Sequence, residues 1–480
     1  MRQNKLNKAF FIGSTILTLL LVSFAVLYKV DVLSIRMWDE SRNACNAIEM
    51  YYNHHFSVRY FMGQPDMWEI KPPLLTWLQV GAFNVFGINE LSIRLPSALA
   101  VISISAFFFY FFKKENYLIA VFASLILVTC PGYMGDHMAR FGDHDALLTL
   151  FSTLSALYFY KTIKSEGYSR NWFLFWLFLL LAWYTKSITS LFFVPAWMLY
   201  LLFEKKLIWT LKQKSFYFGL IVFLVAVCGY YWYHEIQTPG YFKEVWNNEL
   251  FNRFFGKKVN YVYEKHSYFY YFKGLTTRLG IWVWLSILLF IPFKKSKFKS
   301  LFRYCLFLFF ITLIVLSFGT KNFWYDAVFF PIYALLIALQ LVNVWQYLSR
   351  FKWAMYAYPL VIVALFIGSS KSVENLILNP RDNTYDATLY NLGYLLRDAE
   401  WVKSQKKVNI LYDHNEAPIY FYFFKLKQEG YNVTFTNHPK GKELNEDAYV
   451  CADPLIVELM EGKGFKSEKM NYSCWKMVKE

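Results

Sequence analysis

Long apolar runs broken by short polar stretches recur along the first 370 residues of this 480-residue chain. A bilayer core takes roughly 20 apolar residues per helix. Runs of that kind lie near 9–30, 91–112, 117–134, 144–160, 171–184, 187–203, 215–233, 274–293, 301–318, 326–347 and 353–369. They predict a polytopic α-helical membrane protein with about 11 transmembrane helices. The two segments flanking Lys186 are the shortest of the set. The first run is longer than the roughly 7–15 residues of a signal-peptide core, so it predicts an uncleaved first helix. No internal repeat or low-complexity segment interrupts the series.

The pattern changes after residue 370. Helical periodicity near 387–403, an apolar VNILYD run (408–413), a helix near 417–429, YNVTFT (431–436), AYVCA (448–452), a short helix near 454–461 and a last strand near 470–478 follow one another. This predicts a small C-terminal α/β domain over 371–480, distinct from a multi-span domain over 1–370. Cys451 and Cys474 fall on its last two predicted strands, where an oxidising compartment permits a disulfide and a reducing one leaves two thiols. Asn432 and Asn471 stand in glycosylation sequons, which carry weight only where the host glycosylates that face.

Composition agrees with a membrane protein: 56% of residues are hydrophobic and 21% aromatic. The formal net charge of +16 would suggest nucleic acid in a soluble chain. Here the excess sits in short loops around Lys113, Lys161, Lys205, Lys295 and Arg350 and at the N-terminus, and the remaining loops are near neutral. The positive-inside rule makes the basic loops cytoplasmic. The long loops 31–90 and 234–273 and the C-terminal domain then face the periplasm or the cell exterior from an inner (plasma) membrane, and no nucleic-acid partner is implied. Six cysteines without CxxC spacing argue against a zinc ribbon.

Ionisable residues at the outward edges of apolar segments are costly to bury, so each is a candidate for function. Asp39 and Glu40 follow the first run and suit a general base or a metal site; a solvated helix start is the plainer reading. Lys71 precedes Pro72-Pro73, which presets a helix start and would hold a cation in place for a phosphate. Asp136, His137, Arg140, Asp143, His144 and Asp145 crowd one short turn. The loop 234–273 carries Arg253 and His266, and a second outward turn carries Lys321 and Tyr325. Lys71, Lys186 and Lys321 form a set of cations at one membrane face, suited to a lipid phosphate or diphosphate or, individually, to snorkelling.

Taken in order, these stretches resemble the membrane glycosyltransferases of the C-type (GT-C) fold, and within them glycosyltransferase family 39 and the lipid A aminoarabinose transferases. The resemblance rests on DESR (39–42), KPPLLTWLQ (71–79), FGINELSIRLPSAL (86–99), ARFGDHDALLTLF (139–151), TKSITSLFFVP (185–195), RFF (253–255) and TKNFWYDAVFFP (320–331), and covers roughly residues 1–350. Ser187 stands where those families usually carry glycine.

The resemblance implies a catalytic carboxylate at Asp39, beside Glu40. It implies a second acidic position at Asp145, with Asp143 as the alternative. Lys71 is implied as donor-phosphate ligand, with Lys186, Arg253, Lys321 and Tyr325 as helpers. A divalent metal is implied at Glu69 and His266, although Ile70 occupies the slot where the lipid A enzymes carry the ligating Glu. The donor would be a polyprenyl-phosphate sugar and the acceptor a lipid (lipid A), a protein or an envelope glycan. Transfer would invert the anomeric centre, with Asp39 as base and no strong general acid. An oligosaccharide ligase using a diphosphate-linked donor shares this logic. A lipid-linked sugar transporter or flippase should show repeats or mid-span charges. A receptor would leave the acidic and lysine clusters unexplained.

Overall fold

The computed structural model describes residues 2–165, 169–251, 267–293, 297–319, 321–382, 387–404, 408–412, 417–437, 448–451, 454–470 and 474–479. Arg253 and His266 lie outside them. The chain divides into two compact units. Unit 1 is Met1–Tyr28, Ile70–Leu75 and Leu95–Asn379; unit 2 is Lys29–Glu69, Thr76–Arg94 and Pro380–Glu480. The first long loop is thus counted with the C-terminal segment rather than with the helices that flank it.

Unit 1 is helical. Among the described residues, nine helices are long and apolar enough to cross a membrane, and Tyr117–Val128 and Val194–Phe203 are shorter apolar helices at two further expected positions. The first helix is α1 (Arg2–Leu27). Helices α2 (Asp39–Asn53) and α3 (Leu74–Phe86) come next, then α4 (Glu90–Phe112), α5 (Tyr117–Val128) and the single turn α6 (Pro131–Met134). The Asn116 side chain caps α5 by accepting from Leu118 N. Helix α7 (Asp145–Lys164) packs on α8 (Ser169–Lys186). The helix Lys214–Gln237 crosses α8 at Gly219, where a Cβ would lie 1.9 Å from Cδ1 of Trp176. The expected span 274–293 is an α-helix, Tyr270–Leu279, continued as a 3-10 helix over Gly280–Phe290. Gly280 has φ +59°, a left-handed conformation that interrupts the α-helix. Phe330–Leu348 is buried along most of its length and forms the hub of the core.

One end of unit 1 collects the basic loops. Lys164 and Arg303 both pair with Glu204, and Lys297 with Glu115. These pairs bring the segments around residues 115, 164, 204 and 297–303 together.

Unit 2 is mixed. Its five-stranded sheet has the order β4-β3-β5-β7-β6, built from β3 (Val408–Tyr412), β4 (Val433–Asn437), β5 (Ala448–Cys451), β6 (Phe465–Lys469) and β7 (Cys474–Lys479). A two-residue hairpin, β1 (Tyr60–Phe61) and β2 (Gln64–Pro65), lies in the first loop. β3 runs parallel to β4 and β5, whereas β7 runs antiparallel to β5 and β6. Cys474 is disulfide-bonded, and the residue opposite it across the ladder is Cys451. Ala44 and Ile48 of α2, Phe83 of α3 and Ile93 of α4 share one core with Leu396, Phe421 and Tyr422.

Candidate active site

In unit 1, α7 begins at Asp145 and α8 ends at Lys186, and this places their side chains together. Lys186 Nζ donates to Asp145 Oδ2 at 2.5 Å, both side chains being almost fully buried. The chain leaves Lys186 through Ser187 with φ +41° and a 3-10 turn, Ser187–Leu191. A left-handed residue there accounts for the glycine usual at this position in the families it resembles. Lys71 is buried and lies within electrostatic reach of Lys186. The carbonyl just before it, of Ile70, accepts from the Tyr241 hydroxyl at 2.6 Å. The Tyr325 ring lies 5.5 Å from Lys186 Nζ.

The turn before α7 is equally constrained. Asp143 is buried and accepts from His144 N at 2.6 Å, and its carboxylate lies 2.7 Å from His137 Nδ1. Burial alone would raise its pKa; the hydrogen bonds with His137 and His144 outweigh that and hold it well below the usual carboxylate range. His137 has φ +64° and stacks on Trp324 with centroids 3.9 Å apart. Arg140 donates to the Ala25 and Tyr28 carbonyls and so ties this turn to α1. Lys321 stands apart: it donates to the Gly319 carbonyl at 3.2 Å, and burial lowers its pKa.

Beside this group, Arg278 forks onto Asp326, with Nε to Oδ2 at 2.8 Å. Asp326 in turn feels the charge of Asp145. A cavity of about 780 Å³ opens here, lined by Tyr270, Gly274 and Thr277 of the helix Tyr270–Leu279, by Asp136 and by Phe323.

In unit 2, Asp39 is the first residue of α2 and is half-buried. The residue before it, Trp38, is exposed with φ +67°, a strained conformation for a bulky side chain. Glu40 is buried and fully committed. Arg94 grips it through Nε at 2.8 Å and Nη2 at 2.9 Å, and Arg36 N donates to it at 2.7 Å. Arg94 also donates to the carbonyls of Val30, Leu33 and Ser34. Asp66 is a second hub, accepting from Arg42, Asn46, Trp68 N and Glu69 N. Its burial raises its pKa, but the hydrogen bonds and charge of Arg42 pull it below the ordinary value. The Glu69 carboxylate lies 3.8 Å from Arg59. Its charge is thereby met by a guanidinium.

Sequence reasoning singled out His137 but missed its stack on Trp324, the Arg278–Asp326 fork and the Arg94 clamp. Arg94 and Glu40 are 54 residues apart, beyond any local periodicity. Only the density of charges in the turn before α7 pointed towards His137.

The architecture superposes on ArnT from Cupriavidus metallidurans, solved bound to undecaprenyl phosphate, with a TM-score of 0.70 at 14% identity, covering 97% of each chain. The apo state of that protein gives 0.69 at 12% identity, covering 98% of each. This chain is a membrane protein of the GT-C glycosyltransferase fold. Within that fold, residues 70–232 match the family model of the dolichyl-phosphate-mannose-protein mannosyltransferases. An uncharacterised protein of Aquifex aeolicus (strain VF5) is 25% identical over 276 residues; that match takes in 54% of this chain and about half the length (53%) of the relative.

Proposed function

We propose that this protein transfers a sugar from a polyprenyl-phosphate donor to an acceptor at the outer face of the inner membrane. The observation that carries the reading is the buried group Lys71, Lys186 and Asp145 at one end of a helical bundle, in a fold whose ArnT representative holds undecaprenyl phosphate. Lys71 supplies a fixed point charge for the donor phosphate. Lys186, tied to Asp145, adds positive potential without being free to swing. In a low-dielectric site such cations stabilise the charge that develops on a leaving phosphate. A phosphate leaves as an anion, so the bond breaks without a strong general acid.

Asp39 is the base that takes the acceptor proton as C1 passes through an oxocarbenium-like state, and a single displacement inverts that centre. Glu40 acts through the backbone: its clamp by Arg94 fixes the start of α2 and with it the position of Asp39. Arg253 remains a donor-phosphate candidate and His266 a metal candidate, from sequence only.

Purified protein given a polyprenyl-phosphate sugar and an acceptor extract should lose about 10²–10⁴-fold in turnover on Asp39→Asn, with donor binding retained. Wild-type turnover in that variant would overturn the base assignment. Lys71→Ala should weaken donor binding and spare acceptor binding; equal loss of both would count against the phosphate role.

A further inference from the structure

We infer that the cavity beside the Arg278–Asp326 fork is a carbohydrate site, and that the acceptor hydroxyl in the proposed reaction is carried by a sugar ring. The inference rests on the transfer reading above for the word acceptor, and on the cavity alone for the word sugar.

The space is built. Gly274 lies in the middle of the helix Tyr270–Leu279, where glycine costs stability relative to alanine. Packing does not demand it: a Cβ there would meet only Arg278 Cγ, at 3.9 Å. Gly132 is different, because its Cβ would lie 2.8 Å from Phe330 Cζ and 2.9 Å from Arg278. Gly274 also needs no left-handed backbone. What the missing side chain provides is volume, and it faces the cavity. At about 780 Å³ the space falls within the roughly 300–1,000 Å³ of small-molecule sites.

The lining selects the ligand. Lys273 and Arg278 balance Asp136 and Asp326, so the wall has no net charge to favour a phosphate. Arg278 and Asp326 are spent on each other, whereas Lys273 and Asp136 form no ion pair with each other among the described residues. Thr277 adds a hydroxyl, and Tyr270 and Phe323 add aromatic surface. Donors and acceptors of both signs beside aromatic rings suit a polyhydroxylated ring, whose hydroxyls both donate and accept and whose C–H faces are apolar. In the step itself the acceptor oxygen bonds to the donor C1 and the C1–O(phosphate) bond breaks. The electron pair stays on the phosphate oxygen, and the hydroxyl proton passes to the general base of the reaction.

The test is saturation-transfer NMR on the full chain in detergent, with a panel of methyl hexosides, N-acetylhexosaminides and pentosides, and separately with a threonine peptide and methyl phosphate. At least one glycoside should give ring-proton signals that Gly274→Leu reduces tenfold or more and Lys71→Ala leaves unchanged. The Gly274→Leu protein should melt no lower than wild type, which separates a filled cavity from a misfolded chain. Absence of any glycoside signal, its persistence in Gly274→Leu, or a peptide or phosphate signal abolished by that variant would overturn the sugar site. Glycoside binding in a chain that transfers nothing from a polyprenyl-phosphate sugar would sink the transfer reading and leave the sugar site standing.

Discussion

Charges taken out of water set the behaviour of single residues here. Glu40 and Arg94 are both almost fully buried, so removing one leaves the other without compensation. Arg94→Met should cost about 3–5 kcal/mol, read as a lowered melting temperature, and should also lower turnover by releasing the start of α2. A variant as stable as wild type would contradict the clamp. Asp66 tests the sign of the electrostatics. Its folded pKa is depressed, so its stabilisation is complete above the ordinary Asp value of about 3.9 and is lost as pH falls through the folded value. The stability gap between wild type and Asp66→Asn should therefore hold steady above about pH 5 and narrow below pH 4; a gap that widens on acidification would refute it. Sequence could single out Asp39, Lys71 and Asp145 because they sit at the edges of apolar runs. Only the family resemblance preferred Asp39 to Glu40; their physical difference lies in what each touches.

The elements divide by how local their cause is. Helices in unit 1 were legible because burial in lipid imposes length and apolarity, and β3, β4, β5 and β7 were legible from their apolar stretches. Strand β6 was not: FKSEK is mostly polar, buries only Phe465 and pairs at the sheet edge, so it shows no alternation. The crossing at Gly219 was also invisible, because close approach depends on the partner helix. Gly219→Ala should push a methyl into Trp176 and cost about 1–3 kcal/mol by overpacking. Gly274→Ala, in contrast, should gain up to roughly 1 kcal/mol of helix stability. Opposite shifts in the melting temperatures of the two variants are the expected outcome.

At the scale of the whole molecule, one core holds Lys29–Glu69, Thr76–Arg94 and Pro380–Glu480. Residues of one core share one side of a membrane, so an even number of crossings must separate residue 94 from residue 380. Among the described residues, eight of the nine long candidate spans follow α1, and the two shorter helices at expected positions keep the number even. The disulfide at Cys474 asks for an oxidising compartment, and this supports the outward reading of unit 2. In intact cells a membrane-impermeant thiol reagent should label the Lys463→Cys variant, Lys463 being exposed, on a Cys228→Ser background. Labelling only after cell lysis would reverse the orientation. The distribution of the +16 charge predicts an orientation, but which segments assemble into one body depended on contacts more than 300 residues apart, such as Tyr422 with Ile35.

That distant pairing has a consequence for biogenesis. Some 300 residues separate the two halves of the unit 2 core. At about 5–20 residues per second, the ribosome needs roughly 15–60 s to make them. Throughout that interval Ala44, Ile48, Phe83 and Ile93 have emerged without Leu396, Phe421 or Tyr422 to cover them. The first loop must therefore wait, apolar and incomplete, until the last segment has been made, and over that interval a chaperone has an apolar face to hold.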